Sequence, residues 1–234
     1  MKWTSRFVVA AIALTGLLAP SATTPAVESG PSEVILGFAL ASPAVATNLA
    51  VDVTYRSPAD PEAKPPAATL ARLELPVGTR FNNDSVPVCT ASDVQLRLLG
   101  RAACPAGSKV GGGQLVGMTG LPVPDDRLVA DVVGYNTGDG VAMVAFVPNT
   151  SVVVAIDRAS TQGNVFTARP PLIPGGPPDL YTAIRTINLV FPAGTGFVTT
   201  PDRCSADRRW DYSATLGFAD GTTQTATGVI PCTR

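Results

Sequence analysis

The chain has 234 residues, enough for one large β domain or two small ones. Charged residues make up 15% and apolar residues 45%, which excludes a disordered chain, while 22 glycines and 22 prolines favour strands joined by tight turns. The formal net charge of −1 leaves no basic excess to hold nucleic acid.

Lys2 and Arg6 give a positive start, and the apolar run 7–18 has signal-peptide length but is short for a membrane span. Small residues follow at Ala19, Ser21, Ala22 and Ala26, so cleavage is expected between Ala19 and Ala26. The expected organisation is a signal peptide over 1–26, an N-terminal segment with a first strand over 27–45, and one β-sandwich domain over 46–234. No cysteine follows the apolar run, which argues against a lipid anchor. The mature chain is expected to be secreted, extracellular or cell-wall associated, with no span left after signal removal.

Residues 34–41 and 46–55 read as strands around Ser42-Pro43. In the second, Leu49, Val51, Val53 and Tyr55 alternate with Ala50, Asp52 and Thr54, the period of a half-buried strand. The proline-rich stretch 57–66 reads as a loop and 70–77 as a strand.

The stretch 88–113, VCTASDVQLRLLGRAACPAGSKVGGG, holds two of the four cysteines, the one convincing helix signal and the densest glycine cluster. Thr90 or Ser92 can cap the helix, Ser92 and Gln95 match a capping box, and Asp93 adds favourable charge in the first turn. Val94 and Leu98 share a face, and Gly100 stands where a left-handed C-terminal cap would fall. A helix of about two turns is too short to stand alone in water. Cys89 and Cys104 flank it, and a bridge between them would stabilise by roughly 3 kcal/mol on the chain-entropy account.

Residues 109–118 read as a strand thinned and bulged by glycine. Strands 128–135 and 141–147 flank the hairpin loop 136–140, and 152–156 and 165–168 follow. The segment 169–179, RPPLIPGGPPD, is a proline-glycine loop, and 182–191 returns as a strand. In the last hairpin, Trp210, Tyr212, Ala214, Leu216 and Phe218 share a face that reads as core. Asp220-Gly221 suits a type I′ turn, which would set Cys232 opposite Arg209.

Four cysteines in an exported chain are expected to pair. Three connectivities are open, and Cys89–Cys104 with Cys204–Cys232 is the one expected. The chain has no histidine and no CxxC, so these cysteines do not read as a zinc site. The expected fold is all-β, an antiparallel β-sandwich of Ig-like or jelly-roll type with one short disulfide-tethered helix.

Pro87-Val88-Cys89, Ser92-Asp93, Gly100, Ala103-Cys104-Pro105, Ser108, Val110-Gly111 and Gly113, preceded by Leu75-Pro76-Val77-Gly78, resemble a pattern of secreted actinobacterial proteins of unknown function. The closing segment, from Thr200-Pro201-Asp202-Arg203-Cys204 through Trp210 and Asp220-Gly221 to Pro231-Cys232, resembles the C-terminal end of the same proteins. The resemblance implies a secreted β-sandwich-like domain and carries no catalytic residue across.

Without histidine, acid–base chemistry would fall to carboxylates: Asp125-Asp126, Asp202 with Asp207 and Asp211, or Asp60 and Glu62. Asp139-Gly140 and Asp125-Asp126 are weak calcium candidates that lack EF-hand spacing, and Gly111-Gly112-Gly113 does not follow the phosphate-loop pattern. No catalytic, cofactor-binding or metal-binding residue is assigned. The leading expectation is a secreted structural or binding module of the cell surface or medium. A carboxylate-dependent hydrolase of envelope glycans would need two acids converging in one cleft, and a carrier of an apolar ligand would need a dry cavity inside the fold.

Overall fold

Period-2 alternation decides which side of each strand is buried, and it shows from the first strands onward. The structure, a computed structural model, describes residues 31–233; the expected signal peptide lies outside the described residues. In β1 (Glu33–Phe38) and β2 (Leu49–Thr54) alternate residues are buried, with Val34, Leu36, Phe38, Leu49, Val51 and Val53 turned inward. β3 (Ala68–Glu74) follows, then β4 (Arg80–Phe81), a two-residue strand that pairs with β12 (Val198–Thr199).

Five consecutive strands form an antiparallel meander: β5 (Lys109–Met118), β6 (Arg127–Asn136), β7 (Gly140–Phe146), β8 (Val153–Gln162) and β9 (Val165–Ala168). β5 is bulged between Lys109 and Gly111, and the Phe191 ring lies so close over Gly111 that a Cβ there would sit 2.8 Å from it. β8 continues six residues beyond the expected end at Ile156. The 169–179 loop contains the short β10 (Ile173–Pro174), paired with β11 (Tyr181–Phe191), and β13 (Arg209–Phe218) and β14 (Thr223–Pro231) make the last hairpin.

The strand order is β1-β2-β11-β5-β6-β7-β8-β9-β3-β13-β14, antiparallel at every step. The two layers expected of a sandwich are opposite walls of this one continuous sheet, which curls until β14 lies beside β1. Along that seam Ser32 N–H donates to Gln224 Oε1 (3.2 Å), the Tyr212 hydroxyl to Val34 O (3.1 Å) and Thr233 N–H to Ala41 O (2.8 Å). From the Ser32–Gln224 bond to the Ala41–Thr233 bond both numbers rise together, so β1 and β14 run in the same direction. The main core fills the concave side and draws on both edges of the sheet.

A second apolar cluster lies outside the barrel, where α1 (Asp93–Leu99) and its disulfide cover β6, β7 and β8. β7 is therefore buried on both faces, which is why Val141 to Phe146 reads as an unbroken apolar run. The capping box of Ser92 and Gln95 is formed, but the buried helix residue is Leu96. Val94 and Leu98, the apolar pair that shares a face, are 66% and 78% exposed. Gly100 has φ +56° and ψ −130°, outside the left-handed helical cap expected, and leads into a 3₁₀ turn. Fully buried Asn136 ties this region together: its side-chain amide donates to Asn83 O (2.6 Å) and Val86 O (3.0 Å), and its backbone carbonyl accepts Cys89 N–H (2.8 Å).

Cys89 is bonded to Cys104 and Cys204 to Cys232, with Cα separations of 5.1 and 5.7 Å. The aromatic row of β13 is buried, but the hairpin register differs by one from that of a type I′ turn: Arg209 pairs with Pro231, and Cys232 N–H donates to Arg208 O (2.9 Å). Asp220 accepts Thr222 N–H (2.9 Å), Phe218 N–H reaches Thr222 O (3.0 Å), and only Gly221 takes a positive φ, +82°. That is a three-residue turn.

Candidate functional site

The interior of the barrel is filled unevenly. At one end Phe81, Phe166, Phe191 and Phe197 pack ring on ring at centroid distances of 5.7 to 6.1 Å. Towards the other end the inward positions of successive strands hold alanine: Ala68 and Ala71 on β3, Ala130 on β6, Ala145 on β7, Ala155 on β8 and Ala168 on β9. Methyl groups around the circumference do not meet across the middle, and an apolar cavity of ≈ 110 Å³ remains. Engineered cavities on the order of 150 Å³ with apolar walls stay dry and take up benzene. The space therefore suits one small ring or a short chain.

The 169–179 loop forms the rim. Pro170, Pro171, Leu172 and Ile173 line the cavity, and the exposure of Pro171 and Leu172 marks where it reaches the surface. The loop is held by Gly176 N–H on Thr119 O (2.7 Å), Gly175 N–H on Leu180 O (2.8 Å) and Lys64, whose ammonium donates to Gly176 O (3.0 Å) and Asp179 (2.6 Å). Burial pushes the Asp179 carboxyl up, but the Lys64 hydrogen bond, Tyr181 N–H and the Lys64 charge outweigh it and hold the group below its ordinary range.

Two polar side chains stand out in the wall. Asp157 on β8 accepts Arg169 N–H (3.0 Å), yet burial dominates and raises its pKa from 3.8 to about 6 against that bond and the Arg169 charge. Tyr55, just past β2, is 2% exposed and packs edge-on against Phe218 at 6.3 Å. Burial, then the Asp157 charge, pushes its phenol above the usual value.

The cysteines and all of the acids singled out in the sequence lie elsewhere. Asp202 pairs with Arg80 (2.9 Å), Asp207 accepts the Ser205 hydroxyl (2.6 Å), and Asp211 is exposed on β13. Asp60 accepts the Glu62 N–H (3.0 Å). Glu62 and Asp126 do border one open depression, together with Lys64, Arg127 and Arg185. Arg185 lies 3.5 Å from Glu62, whose side chain is 89% exposed, and Arg127 lies 3.9 Å from Asp126. These are exposed charge pairs and not an acid and a base facing each other across a cleft. Asp139 accepts the Thr137 hydroxyl in its turn (2.9 Å), and among the described residues no three cysteine or acidic side chains gather as metal ligands.

Asp157 lies just past Ile156, where the strand expected from the sequence ends, and so falls outside the sequence-predicted site residues. The available signal was the alternation beyond it, in which Ala155, Asp157 and Ala159 put one acid on an apolar face. The chain matches no family model, no curated protein and no solved structure. Among the described residues no helix is long and apolar enough to cross a membrane.

Proposed function

We propose that this chain is an exported, disulfide-bonded binding module that holds a small apolar ligand inside its barrel, in the medium or at the cell surface. Export is supported by the basic start and apolar run at the N-terminus and by two disulfides, which persist in oxidising compartments. The observation that carries the ligand reading is the alanine-walled cavity in a core that elsewhere packs phenylalanine on phenylalanine. At roughly 24 cal/mol per Å³, a void of this size left empty costs about 3 kcal/mol. A single larger side chain would remove that cost, and none of the six alanine positions has one.

Toluene added to the oxidised full chain is expected to shift the methyl NMR signals of wall residues saturably and to raise Tm with concentration. Ala145→Leu, which fills the space, is expected to abolish both effects while keeping the fold. Absence of any saturable change with toluene, benzene and xenon would overturn the reading.

A further inference from the structure

The fold leaves part of the hydrogen-bonding capacity of Asp157 and Tyr55 unused. One Asp157 oxygen accepts Arg169 N–H at 3.0 Å; the other takes no hydrogen bond from any described residue. The Tyr55 hydroxyl likewise has no partner among the described residues, although the side chain is almost wholly enclosed. Other interior side chains of this kind are satisfied. The Tyr212 hydroxyl donates to Val34 O and Trp210 Nε1 to Arg203 O, each at 3.1 Å, and the Asn136 amide serves two carbonyls. Among the described residues the wholly enclosed oxygens without a partner are those of Thr79 and Asn83, and neither residue borders the cavity; the unpartnered atoms of Asp157 and Tyr55 are not fully enclosed by protein, and both residues line the cavity.

The two groups border the same cavity from strands on opposite sides of the barrel, Tyr55 just past β2 and Asp157 on β8, and the charge of Asp157 raises the Tyr55 phenol further. Asp157 offers a strong acceptor. Tyr55 offers a donor, since its ring buries well and its hydroxyl keeps its hydrogen. Everything else lining the cavity is apolar except Thr182. A ligand that satisfies both must donate one hydrogen bond and accept one through a single small head, and be apolar otherwise. A hydroxyl does both; an ammonium only donates, and the Arg169 charge beside Asp157 already offsets part of what a cation would gain.

Resting on the cavity reading above, we infer that the ligand class is a small apolar alcohol or phenol, its hydroxyl donating to the free oxygen of Asp157 and accepting from Tyr55. The apolar body selects for size and dryness, and the pair of polar groups selects the head. A hydrogen bond to a charged acceptor in such a site is worth about tenfold or more in affinity.

The test uses the oxidised full chain at pH 7.5, titrated with toluene, p-cresol and benzylamine. p-Cresol, which adds only a hydroxyl to toluene, is expected to bind about tenfold tighter or better. That preference, read as the ratio of p-cresol to toluene affinity within each variant, is expected to fall to within about twofold in Asp157→Val and to drop in Tyr55→Phe. Tyr55→Phe keeps the question open to disproof if Asp157→Val fails to fold. Toluene binding with no preference for p-cresol overturns this inference and leaves the cavity function standing. Tighter binding of benzylamine than of p-cresol overturns the hydroxyl assignment, and no binding by any of the three overturns both readings.

Discussion

Asp157 makes the folded state sensitive to pH in a direction opposite to an ion-paired acid. Burial penalises its charged form, so the folded chain keeps this proton to about pH 6 while the unfolded chain releases it near 3.8. The stability it contributes is fully present below pH 3.8 and is lost as pH rises through about 6. Asp157→Asn removes the titration and can still accept Arg169 N–H. The variant is expected to match the parent in urea unfolding at pH 3.5 and to exceed it at pH 7, by at most about 3 kcal/mol. Equal stability at both pH values would mean that the carboxyl is not buried as described. Arg169 and Tyr55 are the charged or titratable groups that face it, and both are included in the balance. A carboxyl that costs stability at neutral pH is hard to read as scaffold. The alternation Ala155, Asp157, Ala159 sets the acid on an apolar face of its strand, but only the curl of the sheet makes that face the cavity wall.

Among the elements, α1 shows how far local signals reach. Its start was legible because a capping box is a contact between residues three apart. Its buried face was not, because a two-turn helix turns whichever side the sheet beneath can accept. Here Val133, Val144 and Phe146 on the outer face of the barrel receive Leu96, and Arg101 lies over the Phe146 ring at 4.4 Å. Leu96→Ala is expected to cost about 2–5 kcal/mol. Val94→Ala and Leu98→Ala are expected to stay within about 0.5 kcal/mol. Denaturant unfolding of the three variants checks this packing; the reverse order would mean that Val94 and Leu98 face the sheet. The last hairpin carries the same lesson. Asp-Gly fits a two-residue turn, but the register is set by Asp220 bonding onward to Thr222 and by Tyr212 lying across Gly228, where any Cβ would overlap its hydroxyl.

At the scale of the molecule, the all-β character and the tethered helix could be read from alternation, turn residues and cysteine positions. The closure of the sheet could not. It depends on partners far apart in the chain, β2 with β11 and β3 with both β9 and β13, which no local pattern specifies. The path through the sheet holds eleven strands. In a ring whose neighbours alternate in direction, only an even membership lets the two ends meet head to tail. An odd ring must have one mismatched junction, and here it falls between β1 and β14. Their facing amides are left without the regular ladder that every other strand pair shares. In hydrogen–deuterium exchange, β1 and β14 are therefore expected to lose protection well before the β5–β9 meander, and uniform protection round the barrel would show that the junction is sealed by a ladder after all.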